Sequence, residues 1–266
     1  MRDESKLLAA VCDGHGPNGR AAAKFVTKRI VKAVQKEEGE RGTQRAIKEA
    51  FIAVNQDLGI SDIDVYVSGC TCCLLYLKED GELHVANVGD SRAVMISTDD
   101  EGGAKTVKLS NEHTPDRPDE MARIVAAGGR VFDWGVPRVW LQDLDMPGLS
   151  MSRSFGDLAA ETVGVYAEPE LVQTTISASD KLIVLATDGI WEFMSEPEVA
   201  DLLLPLVESG DAQDAAEQLV QEAARRWEEN EEMVDDITCI VFFLYHGEAQ
   251  RERDADAESL GGSSTD

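Results

Sequence analysis

Short apolar runs and amphipathic stretches alternate unevenly along this chain. Residues 7–13, LLAAVCD, form a continuous apolar run closed by a carboxylate and read as a buried strand. Residues 19–36, GRAAAKFVTKRIVKAVQK, carry Phe25, Val26, Ile30 and Val34 on one side at helical spacing. A second helix begins at Thr43, continues through Asp57 and is ended by Gly59. The pattern then shifts to strands. VYVSGCTCCLLYL, ELHVANVGDSRAVMIS and KTVKLS predict antiparallel neighbours, with EDG and GGA at the turns. Residues 117–127 are helical and stop at Gly128-Gly129. Residues 130–165 are rich in Gly, Pro, Trp and Asp, have weak periodicity and read as a long functional loop or flap. ELVQTTIS and DKLIVLATD are strands. Ser195 with Glu198 forms a capping box for a helix to about Glu208, Asp211 opens another that ends near Trp227, and DITCIVFFL is the last strand.

No internal repeat and no linker interrupts residues 7–245, so residues 1–246 are expected to form one domain. Residues 247–266 are polar and are expected to be a disordered tail. Helices come in pairs and strands in blocks. That order predicts an α+β fold with sheet packed on sheet rather than alternating βαβ units.

Composition adjusts this picture in three ways. A 43% hydrophobic content is ordinary for a globular core. Twenty-five basic against 51 acidic residues give a net charge of −26, which argues against nucleic acid and anionic membranes as direct partners. The five cysteines, Cys12, Cys70, Cys72, Cys73 and Cys239, are odd in number, lie in apolar runs and lack a second pair at zinc-ligand spacing. They read as reduced core residues of an intracellular protein. With no span-length apolar run and no hydrophobic region in MRDESK, the expected location is cytoplasm or nucleus. No feature calls for self-association, so a monomer is expected.

Candidate chemistry lies where strands end. Residues 9–20, AAVCDGHGPNGR, close an apolar run with Asp13 and then set His15 between Gly14 and Gly16. LIVLATDGIWE ends in Asp188-Gly189, LHVANVGDSR turns at Gly89-Asp90-Ser91, and Asp235-Asp236 precedes the last strand. Any one such Asp is more often a turn or capping residue than a ligand. Adjacent strands, however, would bring these ends to one rim, where crowded carboxylates resist ionising unless a cation compensates. Hard oxygen donors of this kind suit Mg²⁺ or Mn²⁺ rather than zinc. On this reading Asp13 binds a cation and His15 handles a proton.

The set DGHG, SGCT, VANVGDSRA, EHTPD with AAGGRV, LSMSRSFGD, LATDGIWE and DDITCIVFF, in this order over residues 7–245, resembles the protein phosphatase 2C family of metal-dependent Ser/Thr phosphatases. The DGHGPNG and PGLSMSRSFGD forms resemble plant and protist members. The resemblance implies a four-layer α-β-β-α sandwich, two mainly antiparallel sheets flanked by helix pairs, with a two-metal centre at one end. It implies that Asp13 bridges two Mg²⁺ or Mn²⁺ ions, that the Gly14 carbonyl binds one of them, and that Asp188 and Asp235 hold the other. Asp90 with Asp188, and Glu192 where the family usually has Asp, would form a weaker third site. Asp236 stands in place of the usual Asn and is read as lying behind the ligands. The implied reaction is attack of metal-activated water on phosphoserine or phosphothreonine of a phosphoprotein, with His15 as general acid. Ser68 and Thr71 are read as supports of the surrounding backbone, and Arg153 and Asp157 as braces of the flap base.

Family members carry a further strand or two before DGHG, which supply an Arg that clamps phosphate and an acidic pair. MRDES offers Arg2, Asp3 and Glu4 at the wrong spacing, so no family role is assigned to them. Two readings remain: an active phosphatase, or a truncated or inactive phosphatase-like domain that binds phosphoproteins as a regulatory module. For an active enzyme, the net charge predicts a preference for basic residues around the phosphosite.

Overall fold

The structure, a computed structural model, describes residues 6–37, 42–99, 101–133 and 135–245. In chain order it runs β1 (Lys6–Val11), β2 (Gly14–His15), α1 (Gly19–Glu37), α2 (Thr43–Gly59), β3 (Gly69–Cys70), β4 (Cys72–Lys78), β5 (Glu82–Val88), β6 (Arg92–Thr98), β7 (Ala104–Lys108) and α3 (Pro118–Ala126). There follow β8 (Arg130–Asp133), β9 (Pro137–Trp140), β10 (Pro147–Leu149), β11 (Phe155–Gly156), α4 (Leu158–Glu161), β12 (Glu170–Thr175), β13 (Asp180–Ala186), α5 (Asp188–Trp191), α6 (Glu196–Leu203), α7 (Ala212–Asn230) and β14 (Cys239–Phe243).

Two four-stranded antiparallel sheets, ordered β1-β4-β5-β12 and β14-β13-β6-β7, pack face to face. Val11, Cys73, Leu75, Val85, Met95, Ile183 and Leu185 fill the space between them. On the outer face of the first sheet, Cys72, Leu74 and Tyr76 meet Val26, Ile30, Ile47 and Phe51 of α1 and α2. On the outer face of the second, Val94, Leu182 and Val184 meet Val199, Leu203, Leu219 and Ala223 of α6 and α7. This is the α-β-β-α sandwich. Covering both faces explains why β4 and β13 are continuous apolar runs: alternate side chains enter different cores, and neither set faces water.

Three elements differ from expectation. Within the described residues β1 pairs with β4 on one side, and its first residues are open, Leu7 being 39% exposed, so it is a half-covered strand and not a buried one. Residues 65–68 precede the sheet as irregular chain. Residues 130–165 hold a three-stranded antiparallel sheet, β10-β9-β8, over a small core of Ile124, Val139, Leu149, Met151 and Val163. Strands of three or four residues broken by Gly and Pro are too short to show a period. The tail 247–266 and the MRDES segment lie outside the described residues. Among those residues no helix is long and apolar enough to cross a membrane.

Candidate active site

The carboxylates singled out by the sequence come from both sheets and meet at one end of the sandwich. Asp13 leaves β1 of the first sheet, Asp188 leaves β13 of the second, Asp235 precedes β14, and Asp90 lies in the turn where the chain crosses from β5 in one sheet to β6 in the other. Backbone contacts fix each position. The Asp13 N–H donates to Thr71 Oγ1 at 2.9 Å, the Thr71 N–H donates to the Asp13 carbonyl at 2.8 Å, and the Thr71 hydroxyl meets Ser91 Oγ at 2.7 Å. The Asp188 turn is tied to the Asp235-Asp236 loop by Thr187, whose N–H donates to the Thr238 carbonyl at 3.0 Å and whose hydroxyl reaches the Asp236 carbonyl at 3.2 Å. Trp227 of α7 closes this turn by donating its indole N–H to the Gly189 carbonyl at 2.7 Å.

Two glycines are required by close approach. A Cβ on Gly14 would lie 2.3 Å from the Gly19 carbonyl oxygen, so α1 starts against the Asp13-Gly14 turn backbone to backbone. A Cβ on Gly189 would lie 2.5 Å from the Asp236 carbonyl oxygen. Asp236 therefore acts here through its backbone, its side chain being exposed, and Glu192 is an exposed residue one turn beyond Asp188.

The electrostatics are those of uncompensated negative charge. Burial first, then the Asp188, Asp235 and Asp90 carboxylates, push Asp13 up to about 8. Burial and Asp188 push Asp90 up to about 7, and burial raises Asp188 itself. Asp188 Oδ1 is buried with no hydrogen-bond partner among the described residues. Asp235 is exposed at the rim, where the Asp236 N–H donates to its Oδ1 at 2.7 Å. Among the described residues no three Asp, Glu, His or Cys side chains close on one point as a formed cation cage. The donor set nevertheless fits one or more hard dications: an orphaned buried carboxylate oxygen and three carboxyls whose ionisation is opposed by burial and by one another would be relieved together by bound Mg²⁺ or Mn²⁺.

His15 stands two residues from Asp13 with its Nε2 2.6 Å from Asp157 Oδ2. The Ser154 hydroxyl donates to the same oxygen at 2.6 Å, and the Asp157 N–H donates to the Ser68 carbonyl at 2.9 Å. Asp157 is 1% exposed and has a left-handed backbone, φ 50°. The sequence placed Asp157 at the flap base; the fold also places its carboxylate under the histidine, 142 residues away in the chain. Arg153 has a different setting: its guanidinium is held by Glu120 and by the Glu168 carbonyl. Sequence reasoning missed Trp227, Thr187 and Ser154 as supports, because nothing local distinguishes them from helix, strand-end and loop residues.

A layered sandwich with aspartates from both sheets gathered at one end defines a class of proteins, and the comparisons give it a family. The sequence model described as protein phosphatase 2C matches residues 1–231, and the chain belongs to that family. Similar curated sequences include probable protein phosphatase 2C 72 of Arabidopsis thaliana, 36% identical over 260 residues and covering 91% of this chain and 77% of the relative. Probable protein phosphatase 2C 64 of Oryza sativa subsp. japonica is 33% identical, covering 96% of this chain and 62% of the relative. Among solved structures, the serine-threonine phosphatase 2C of Toxoplasma gondii has a TM-score of 0.81 at 19% identity, over 92% of this chain and 86% of that one, which is a likeness of fold.

Proposed function

We propose that this chain is a protein-serine/threonine phosphatase that hydrolyses phosphoserine and phosphothreonine with the help of two Mg²⁺ or Mn²⁺ ions and a weaker third. The observation that carries the reading is the set of four strand-end aspartates at one rim beside a histidine backed by a buried carboxylate. The naming of its relatives as phosphatases supports it.

In this reading Asp13, the Gly14 carbonyl, Asp188 and Asp235 would hold the two ions, and Asp90 with Asp188 would hold the third. When bound, such ions supply a water acidic enough to attack phosphorus near neutral pH and neutralise the phosphoryl oxygens. The remaining work belongs to the chain. Asp157 engages His15 Nε2 and fixes the ring beside Asp13, where the imidazole would give a proton to the departing serine or threonine oxygen. The Thr71, Thr187 and Trp227 contacts hold the aspartates in place, so that little reorganisation is needed when substrate arrives. No side chain has to form a covalent intermediate. Five free thiols fit a reducing compartment, cytosol or nucleus.

Phosphate release from a phosphothreonine peptide, with Mn²⁺ and with EDTA, tests this. Turnover is expected only with the metal, and Asp188→Ala should lower it by about 100-fold or more, the scale of losing several kcal/mol of charge stabilisation. Unchanged turnover in that variant rejects the assignment. A folded protein that binds the phosphopeptide without releasing phosphate is instead the regulatory module.

A further inference from the structure

We propose that the exposed face of α1 is a docking track for an acidic segment of the phosphoprotein substrate, running outward from the catalytic turn. The proposal rests on the phosphatase reading above. Arg20, Lys24, Lys28, Lys32 and Lys36 recur every fourth residue along α1 and are exposed, a row that winds gradually around the open side of the helix, with Arg29 at its edge. The opposite half, Ala22, Val26, Ile30 and Val34, is buried against the sheet. Within α1 the sole acidic residue is Glu37, 4.0 Å from Lys36. This basic face belongs to a chain of net charge −26.

The arginines of α2 and α7 have carboxylate partners. Arg225 and Arg226 of α7 pair with Glu222, Glu229 and Glu198, and Arg45 of α2 pairs with Glu49 at 2.7 Å. On α1, Arg20, Lys24, Lys28 and Lys32 have no carboxylate partner among the described residues, and Arg29 lies over the Phe25 ring, 3.7 Å from its centroid. Like charges at i,i+4 repel. Arg20 sits in the first turn, at the positive end of the helix dipole, with no acidic residue there to offset it. The face is therefore unfavourable to the helix that carries it and complementary to an anionic partner.

Its position relates it to catalysis. The helix starts at Gly19, in backbone contact with Gly14 beside Asp13, so Arg20 begins at the active-site turn. Lys36 lies about 24 Å further along the axis, a distance that about seven residues of extended peptide would cover. The large negative charge of the whole molecule disfavours a long polyanion or an anionic bilayer, whereas a short acidic segment on this strip meets the local positive field. Along this one face, the preference for basic flanks expected from net charge is reversed.

The test is fluorescence anisotropy of two unphosphorylated peptides, one bearing an Asp/Glu tract and one with Gln at the same positions. Wild-type protein and the Lys24→Gln/Lys28→Gln/Lys32→Gln variant are compared, with melting temperature as the check on folding. Wild type should bind the acidic peptide about 10-fold tighter at low salt, the difference should shrink as salt rises, and the variant should lose most of it. Equal binding of both peptides by wild type, or an unchanged preference in the variant, overturns the proposal. So does lysine-dependent binding of phosphatidylserine vesicles or duplex DNA that exceeds binding of the acidic peptide. Lysine-dependent peptide binding by a chain that releases no phosphate under any metal condition would reject the catalytic reading while keeping α1 as an acidic-peptide site.

Discussion

At the residue scale the informative pair is His15 and Asp157. A non-glycine residue in the left-handed region costs about 1–2 kcal/mol, and Asp157 is kept there by its backbone bond to Ser68 and its side-chain bonds to His15 and Ser154. Strain of this kind concentrates where a side chain must point in one direction for function. Asp157→Asn keeps the shape and removes the negative charge facing the His15 ring. It should lower kcat by roughly 10–100-fold with KM little changed, less than the ~10²–10⁴-fold of a lost general acid because His15 itself is retained. A fall in KM-level affinity or melting temperature without a kcat effect would make Asp157 a purely structural residue.

At the element scale the flap base is held by charge in a dry setting. Glu120 of α3 is fully buried and is engaged by Arg123, by Arg153 at 2.7 Å and by the Ser152 hydroxyl. Burial raises its pKa, but the hydrogen bonds from Arg123, Arg153 and Ser152 outweigh that and hold the carboxyl well below the usual range. Glu120→Gln leaves those guanidinium groups without their counter-charge and should destabilise the fold by about 3 kcal/mol in urea denaturation. Glu170 is lowered to about 2, first by the His113 ring, whose Nε2 lies 3.4 Å from its Oε2, and then by Asn111 and Arg117. Both are carboxyls depressed in the folded state. Their contribution is present above the unfolded value near ~4.3 and is lost as pH falls toward about 2, so the wild-type urea midpoint should drop over that window, and less so in the Gln variant. In sequence, Glu120 looks like an ordinary acidic residue in a helix's first turn. Its burial depends on Arg153, 33 residues on, and cannot be seen locally.

At the scale of the whole molecule, two sheets bring together carboxyls that repel. Asp13 and Asp90 have raised pKa values in the folded chain, so without a cation they add stability at low pH that is lost as pH rises from ~4 through about 8. The metal-free protein should therefore melt at a lower temperature at about pH 8.5 than at about pH 5.5, other groups being equal. Millimolar Mg²⁺ or Mn²⁺ should raise the melting temperature by ~5 °C or more at the higher pH and by less at the lower one, because the ligands must lose protons to bind. An equal shift at both pH values would show that the cation binds away from these aspartates.

How much of this was legible in the sequence follows from the range of each force. Helical periodicity, the Ser195-Glu198 capping box and the apolar runs of β4 and β13 are local, and the structure has them where the pattern does. The strand-end aspartates are local too, since an Asp before Gly or after an apolar run is visible one residue at a time. Their meeting is not. It depends on Gly89-Asp90-Ser91 carrying the chain from one sheet to the other and on the backbone contacts Gly14–Gly19 and Gly189–Asp236. The three-stranded flap base escaped because its strands are shorter than one readable period. The sequence by itself determined the elements, the family resemblance and the candidate carboxylates and histidine, because those rest on short-range sterics and on residue chemistry. Only the tertiary structure decided which carboxylate backs His15, which glutamate is buried, and which cations are left without partners, because burial and Coulomb interactions act through space and take no account of separation along the chain.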